Sequence, residues 1–299
     1  MKKKIYHKPV LINSSTENLV FNPNGTYIDV TFGGGGHSRA ILEKLTKKGR
    51  LLAFDQDEEA IKKNPIKDKR LKIFNKNFRF IKDVLNLKKI NNVSGVIIDL
   101  GVSWHQIDSA YRGFSTRFNY PLDMRMNLRS KYSAKEILKY YSEKKLSEVF
   151  YKYGEFKNSK FIAKRIVKKR AKKNIETSFD LMELFKEIKK QKFFARLFQA
   201  LRIEVNDEIN ALKELLTQSS SFLSKEGRIS VISYHSLEDR LVKRFFKTGS
   251  FEGFLEKDFF GKKNIHLESI YSKAITPNNE EITRNKRARS ARLRIAKKL

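Results

Sequence analysis

In the first third of the chain, short apolar runs alternate with stretches of helical periodicity. Residues 27–31 read as a strand running into a cluster of glycines, residues 38–46 as a helix, and residues 50–54 as a strand closing on Asp55. Two further apolar runs, 71–74 and 96–98, predict strands, the second closing on Asp99. Strand and helix alternating at this spacing predict a parallel, doubly wound sheet. From about Ser133 the pattern changes. Ser133-Ala-Lys-Glu136 is a capping box ahead of an apolar-periodic run, and Thr177-Ser-Phe-Asp180 starts another helix. Between them Phe161, Ile162, Ile166 and Val167 are expected to form one apolar stripe with cations around the rest of the helix. Strand signals return only at 228–233 and 292–296. The pattern therefore predicts an α/β domain, 1–107 and 201–299, split by an all-helical insertion at 108–200.

Composition narrows the function. With 299 residues, 40% of them hydrophobic, there is enough chain and enough apolar side chain for a sizeable core. There is no cysteine, which excludes disulfides, cysteine nucleophiles and thiolate metal sites. The five histidines, at 7, 37, 105, 235 and 266, show no metal-ligand spacing, so no metal is expected. The run 9–12 is far shorter than a signal-peptide core, and nothing approaches a membrane span, so a cytoplasmic protein with no membrane partner is expected. The 64 Lys and Arg outnumber 33 Asp and Glu, a formal net charge of +31. A bias toward Lys, Asn, Ile and Phe explains part of that excess. Local clusters suit phosphate neutralisation: Lys164, Arg165, Lys168, Lys169, Arg170, Lys172 and Lys173 in one run, and Arg284, Lys286, Arg287, Arg289, Arg292 and Arg294 near the C-terminus. Charge alone does not separate RNA from DNA or a membrane surface.

The segment Asp29-Val-Thr-Phe-Gly-Gly-Gly-Gly-His37 carries the chemistry. Four glycines let the backbone turn and approach a ligand without Cβ clashes, and the helix beyond offers free N–H groups. A tight structural turn is the plainer alternative. Asp55, at the end of the next strand, is placed to accept from ribose hydroxyls. A dinucleotide fold requires G-x-G-x-x-G, and Gly33-Gly-Gly35-Gly-His-Ser38 lacks the last glycine. S-adenosylmethionine, without a pyrophosphate, needs only the close turn and the ribose acid, which favours a methyltransferase over an NAD oxidoreductase. Asp29, Asp55 and Asp99 stand at three successive strand ends, the ligand-facing side of such sheets.

Eight blocks, in order, carry a family resemblance: Tyr6-His-Lys-Pro-Val-Leu11, Asp29-Val-Thr-Phe-Gly-Gly-Gly-Gly-His-Ser38, Asp99-Leu-Gly-Val-Ser103, Arg112-Gly-Phe-Ser115, Leu122-Asp-Met-Arg-Met126, Phe198-Gln-Ala-Leu-Arg-Ile203, Ser233-Tyr-His-Ser-Leu-Glu-Asp-Arg240 and Arg287-Ala-Arg-Ser290. The chain resembles the bacterial 16S rRNA (cytosine-N4)-methyltransferase family, RsmH or MraW. The resemblance implies a class I S-adenosylmethionine-dependent methyltransferase fold, Rossmann-like, with an inserted helical domain that recognises the substrate. It implies S-adenosyl-L-methionine as cofactor and, as substrate, the N4 amine of a cytidine in the P-site region of 16S rRNA within the small ribosomal subunit. Carried onto matching positions, cofactor binding falls on Gly35, Gly36, His37, Asp55, Phe78, Asp99 and Gln106. The chain departs from the family at Trp104-His105-Gln106, where Ser-Pro-Gln is commoner, and Trp104 either stacks on a base or packs.

No cysteine nucleophile is needed for such a transfer. Asp99, or a main-chain carbonyl beside it, is the expected acceptor for the amine hydrogens, with water as the other candidate for the released proton. Tyr234-His235-Ser236 either faces the target base or caps the helix that follows. Two other readings stand beside this one. A DNA amino-methyltransferase lacks support because Asp99-Leu-Gly-Val is not its Pro-Pro-aromatic loop, so no DNA partner is expected. An RNA-binding ribosome-assembly factor with vestigial catalysis is the alternative from a different class.

Overall fold

The computed structural model describes residues 9–62, 64, 66–102, 107, 109–255 and 265–299. The chain divides into two compact units, one of Met1–Gly101 with Asn210–Leu299 and one of Val102–Ile209. The limits expected from sequence, 108 and 200, lie inside the second.

The first unit is built on a seven-stranded sheet: β1 (Thr26–Asp29), β2 (Arg50–Asp55), β3 (Leu71–Asn75), β4 (Val93–Asp99), β5 (Leu223–Ser233), β6 (Leu267–Ser269) and β7 (Arg292–Lys298). Their order across the sheet is β3-β2-β1-β4-β5-β7-β6. β1 to β5 are parallel, and β7 runs antiparallel to both β5 and β6. Successive residues bury into different clusters. Leu51 and Ile97 pack with Tyr27, Ile41 and Leu42, whereas Leu52, Phe54, Val96 and Ile98 pack with Val84, Leu215 and Phe246. A sheet buried on both faces reads as nearly continuous apolar runs rather than alternation, which is the pattern of β2 and β4. The helices packed on it are α1 (Ile12–Leu19), α2 (Gly36–Lys44), α3 (Glu58–Lys62), α4 (Ile81–Leu87), α10 (Glu208–Phe222) and α11 (Ser236–Thr248), and a short α12 (Asn279–Arg284) precedes β7. Helices on both faces of a mostly parallel sheet make this a doubly wound, Rossmann-like fold of the class I methyltransferase type.

β1 ends at Asp29, two residues before the expected end at 31, and the chain leaves the sheet through Val30 and Thr31 into the glycines. β6 lacks any advance signal: it is three residues long and only Leu267 is buried.

The second unit consists of α5 (Ala134–Tyr140), α6 (Glu143–Gly154), α7 (Ser159–Arg170), α8 (Ser178–Glu183) and α9 (Gln191–Asn206). Both expected caps form: the Ser133 amide donates to Glu136 Oε2 at 2.6 Å, and at α8 the Thr177 amide donates to Asp180 Oδ2 at 2.9 Å. The expected stripe on α7 needs one correction. Ser159, Ile162, Ala163 and Ile166 are buried and Val167 is partly so, but Phe161 is 52% exposed. The buried set follows the i, i+3, i+4, i+7 spacing from Ser159, which places Phe161 on the outer side of the helix. Its ring lies 5.6 Å from the Arg165 guanidinium.

Phe150, fully buried, anchors the helical unit among Leu146, Ile162 and Leu197. Phe150→Ala is expected to cost about 3–5 kcal/mol, read from the shift of the urea midpoint; a loss below about 1 kcal/mol would mean that the core of this unit does not centre on that ring.

Candidate active site at the carboxyl ends of β1, β2 and β4

The sheet order reverses between β1 and β4: from β1 the chain steps outward to β2 and β3, then returns to β4 on the other side. In doubly wound sheets the crevice beyond the carboxyl ends at such a point is the ligand site. Asp29, Asp55 and Asp99 are the last residues of the strands flanking it.

The buried Asp29 is fully engaged within the loop. Its Oδ1 accepts from the Thr31 amide at 3.1 Å and its Oδ2 from the Ser38 hydroxyl at 2.7 Å. At 1% exposure it is enclosed by the loop and shapes the turn, whereas Asp55 keeps an exposed face. Asp55 is half-buried, and its Oδ2 accepts from the Gly33 amide at 2.7 Å and its Oδ1 from the Asp57 amide at 2.8 Å. A carboxylate has about four acceptor positions, so two remain for a diol. Burial pushes the Asp55 carboxyl up to about 6, against the pull of those two amides.

The glycines fit a loop with a ligand against it. Gly33 and Gly35 take φ of +51° and +73°, a region open to glycine and costly for other residues. Among the described residues a Cβ on Gly33 would meet only the Thr31 carbonyl, at 3.8 Å, which leaves room beside it. At Gly36 a Cβ would lie 2.0 Å from the Pro9 ring. Gly36 thus serves a close approach by the N-terminal segment.

The His37 side chain is buried. Its Nε2 lies 3.2 Å from the Val10 carbonyl and its Nδ1 3.7 Å from Asp99 Oδ2, and burial lowers its pKa below the usual histidine value. Asp99 Oδ1 accepts from the Tyr234 hydroxyl at 2.8 Å. Burial raises the Asp99 carboxyl to about 7, with Glu238 adding repulsion and the Tyr234 hydrogen bond opposing both. The Asp99 amide donates to Thr31 Oγ1 at 2.7 Å, so β4 is tied to the loop as well. Phe78 is half-buried against the core beyond β3. Gln106 and Trp104 lie outside the described residues.

The structure thus brings Gly35, Gly36, His37, Asp55 and Asp99 to one edge. Tyr234 belongs with them as the hydroxyl that holds Asp99. The sequence places Tyr234 at a candidate base-facing turn, but its contact with Asp99 spans 135 residues and no spacing signal marks that pairing. His235 caps α11: its side chain accepts from the Glu238 amide at 3.4 Å, and Nε2 lies 3.0 Å from Glu238 Oε1. Of the two roles open to it in the sequence, capping is the one seen.

This edge fits a nucleoside ligand with an amino-acid tail better than a dinucleotide. The profile of the MraW methylase family matches residues 4–299. The chain belongs to the MraW methylase family. Relatives named ribosomal RNA small subunit methyltransferase H match over nearly their entire length. That of Flavobacterium johnsoniae is 49% identical over 298 residues, covering 98% of each chain. That of Karelsulcia muelleri is 50% identical over 295 residues, again 98% of each, and that of Cytophaga hutchinsonii is 49% identical over 301 residues, covering 98% of this chain and 100% of the relative. As a member of the MraW methylase family the chain is a methyltransferase, and among its described residues no helix is long and apolar enough to cross a membrane.

Holding acids at this edge works against folding stability. An acid whose folded pKa lies above its unfolded value keeps its proton longer in the folded state, so stability falls as pH rises between the two values. For Asp99 that window runs from 3.8 to about 7. Asp99→Asn is therefore expected to raise stability at pH 8 by about 1–3 kcal/mol and to change it little at pH 4. Urea titrations at both pH values check this; equal effects at the two would show that the buried charge is not the cause.

Proposed function

We propose that the chain transfers the methyl group of S-adenosylmethionine to the N4 amine of a cytidine in the decoding region of 16S rRNA, in the small ribosomal subunit. The observation that carries the site is the pairing of Asp55 with the Gly33 amide beside an open glycine loop at the β1/β4 reversal. The relatives' printed names support ribosomal RNA of the small subunit as substrate, and the family resemblance implies the N4 amine of the cytidine.

Bound, S-adenosylmethionine supplies an activated methyl group on a sulfonium. Gly35, Gly36 and the first turn of α2 bind its amino-acid end, Asp55 its ribose hydroxyls, and the Phe78 ring covers its adenine; Gln106 belongs to the same proposal. Asp99 faces the reacting nitrogen. The N4 lone pair is delocalised into the cytosine ring, so an acceptor on its hydrogens turns it toward the methyl group. Once methylated, N4 carries a positive charge and releases a proton, and a carboxyl raised to about 7 is a base matched to that task. Alignment of donor and acceptor supplies the rest, a contribution of about 7–11 kcal/mol at best. The target base leaves its stack to reach the sheet edge.

Labelled methyl transfer to small subunits lacking this modification, followed by nucleoside analysis, tests the reading. N4-methylcytidine is the expected product; no label, or label on another nucleoside, overturns it. Asp55→Ala is expected to weaken cofactor binding about tenfold or more with RNA affinity unchanged, as read by calorimetry. Unchanged cofactor affinity in the folded variant removes Asp55 from the site.

RNA is gripped through phosphates by the basic run on and after α7. Two of its seven cations are already committed, Arg165 to Glu187 and Arg170 to the Leu138 carbonyl. Lys168, Lys172 and Lys173 are exposed and Lys169 is partly so. Replacing these four lysines with Gln is expected to lower the slope of log affinity against log salt by about 3, with cofactor affinity unmoved. An unchanged slope would make the run a solvated surface.

A further inference from the structure

The ring of His37 has no assigned part in the reaction, yet its two nitrogens are constrained unequally. Nε2 lies 3.2 Å from the Val10 carbonyl. A carbonyl oxygen only accepts, so Nε2 carries the hydrogen. The carbonyl is firmly placed: Val10 and Leu11 are buried with Ile232, Leu293 and Ile295, and the Leu11 amide donates to Glu281 Oε1 at 2.7 Å. In the neutral ring the remaining nitrogen, Nδ1, is then a bare acceptor, and it faces Asp99 Oδ2 at 3.7 Å. Two lone pairs facing one another repel; a proton between them turns the contact into a hydrogen bond. The other Asp99 oxygen is already occupied by the Tyr234 hydroxyl at 2.8 Å.

We propose that His37 is a positioning residue for proton removal: with Nε2–H fixed on the Val10 carbonyl, its Nδ1 receives the hydrogen bond of the Asp99 Oδ2–H that forms when Asp99 takes the proton from the methylated cytidine. The inference rests on Asp99 as proton acceptor. In that step the N4–H bond breaks, its electron pair neutralises the cationic nitrogen, and the proton adds to Oδ2. His37 itself is neither protonated nor consumed. Lowering of the histidine by burial keeps it neutral, and Asp29, its other charged neighbour, pulls in the opposite sense. Among the described residues the other ionisable groups around the pair are Tyr234, held neutral by burial and by Asp99, Glu238, which repels the Asp99 charge, and Glu281, which acts on Tyr234.

His37 and Tyr234 therefore act on Asp99 in opposite directions. Nδ1 favours the protonated carboxyl, and the Tyr234 hydroxyl favours the carboxylate. His37→Leu removes the acceptor at Nδ1, together with the donor to the Val10 carbonyl. It is expected to move the acid limb of the pH–rate profile down by about 0.5–1 pH unit, and Tyr234→Phe to move it up by about as much. A purely structural histidine would lower turnover at every pH with the limb in place, and that result overturns the inference. Nitrogen-15 NMR of the imidazoles in the free, unmodified protein gives a second readout that needs neither turnover nor a folded variant. Protonated Nε2 with bare Nδ1 at pH 7 is expected for His37; the Nδ1–H tautomer or a doubly protonated ring overturns it. Asp99→Asn separates the two levels. If it retains the wild-type profile, Asp99 is not the acceptor and both readings fall. If it is inactive while His37→Leu leaves the limb unmoved, only the role of His37 falls.

Discussion

A carboxylate buried at the end of β1 holds the glycine-loop edge of the sheet in shape. Taking an ion out of water costs several kcal/mol unless its oxygens are hydrogen-bonded. Asp29 meets that demand with the Thr31 amide and the Ser38 hydroxyl, which lie on opposite sides of the glycines. The loop is thereby clamped from strand end to helix start. From the clamp the constraint spreads: the Thr31 hydroxyl accepts from the Asp99 amide, and the Gly33 amide donates to Asp55. Three strand ends and the first turn of α2 are joined by four hydrogen bonds. The glycines give freedom and Asp29 removes what is not wanted.

Much of this was legible in the sequence because apolar runs ended in acids. The strands at 50–54 and 96–98 were plain because both faces of the sheet are covered, which makes them nearly all apolar, and the acids that close them fall at the edge where ligands bind. Ser133 and Thr177 declared their helices through local capping chemistry, which needs no tertiary information. What stayed hidden depends on contacts distant in sequence. Tyr234 reaches Asp99 only once β5 lies beside β4. The two nitrogens of His37 are distinguished only by the segment of Val10 packing near it. Asp29 stands among three ligand-facing acids in the sequence, whereas in the fold it is buried with both oxygens bonded inside the loop. Phe161 falls outside the stripe because adjacency in sequence is not adjacency on a helix face; the register set by Ser159 and Ile162 decides it.

The two units divide the labour. The sheet unit gathers acids, each held away from its ordinary ionisation by burial, at a cost to folding stability. The helical unit has an apolar core and a charged exterior, with basic residues beyond those needed for its own ion pairs, and presents phosphate-binding chemistry to RNA in the proposed function.

The central claim is that the clamp built on Asp29 is the cofactor site. Backbone hydrogen exchange with and without S-adenosylmethionine tests it most directly. Added protection is expected at Thr31, Gly33, Gly35 and Asp57, on the loop and its two flanking acids, with the amides of α5 to α9 unchanged. Protection elsewhere, with those four amides exchanging as before, would contradict the account.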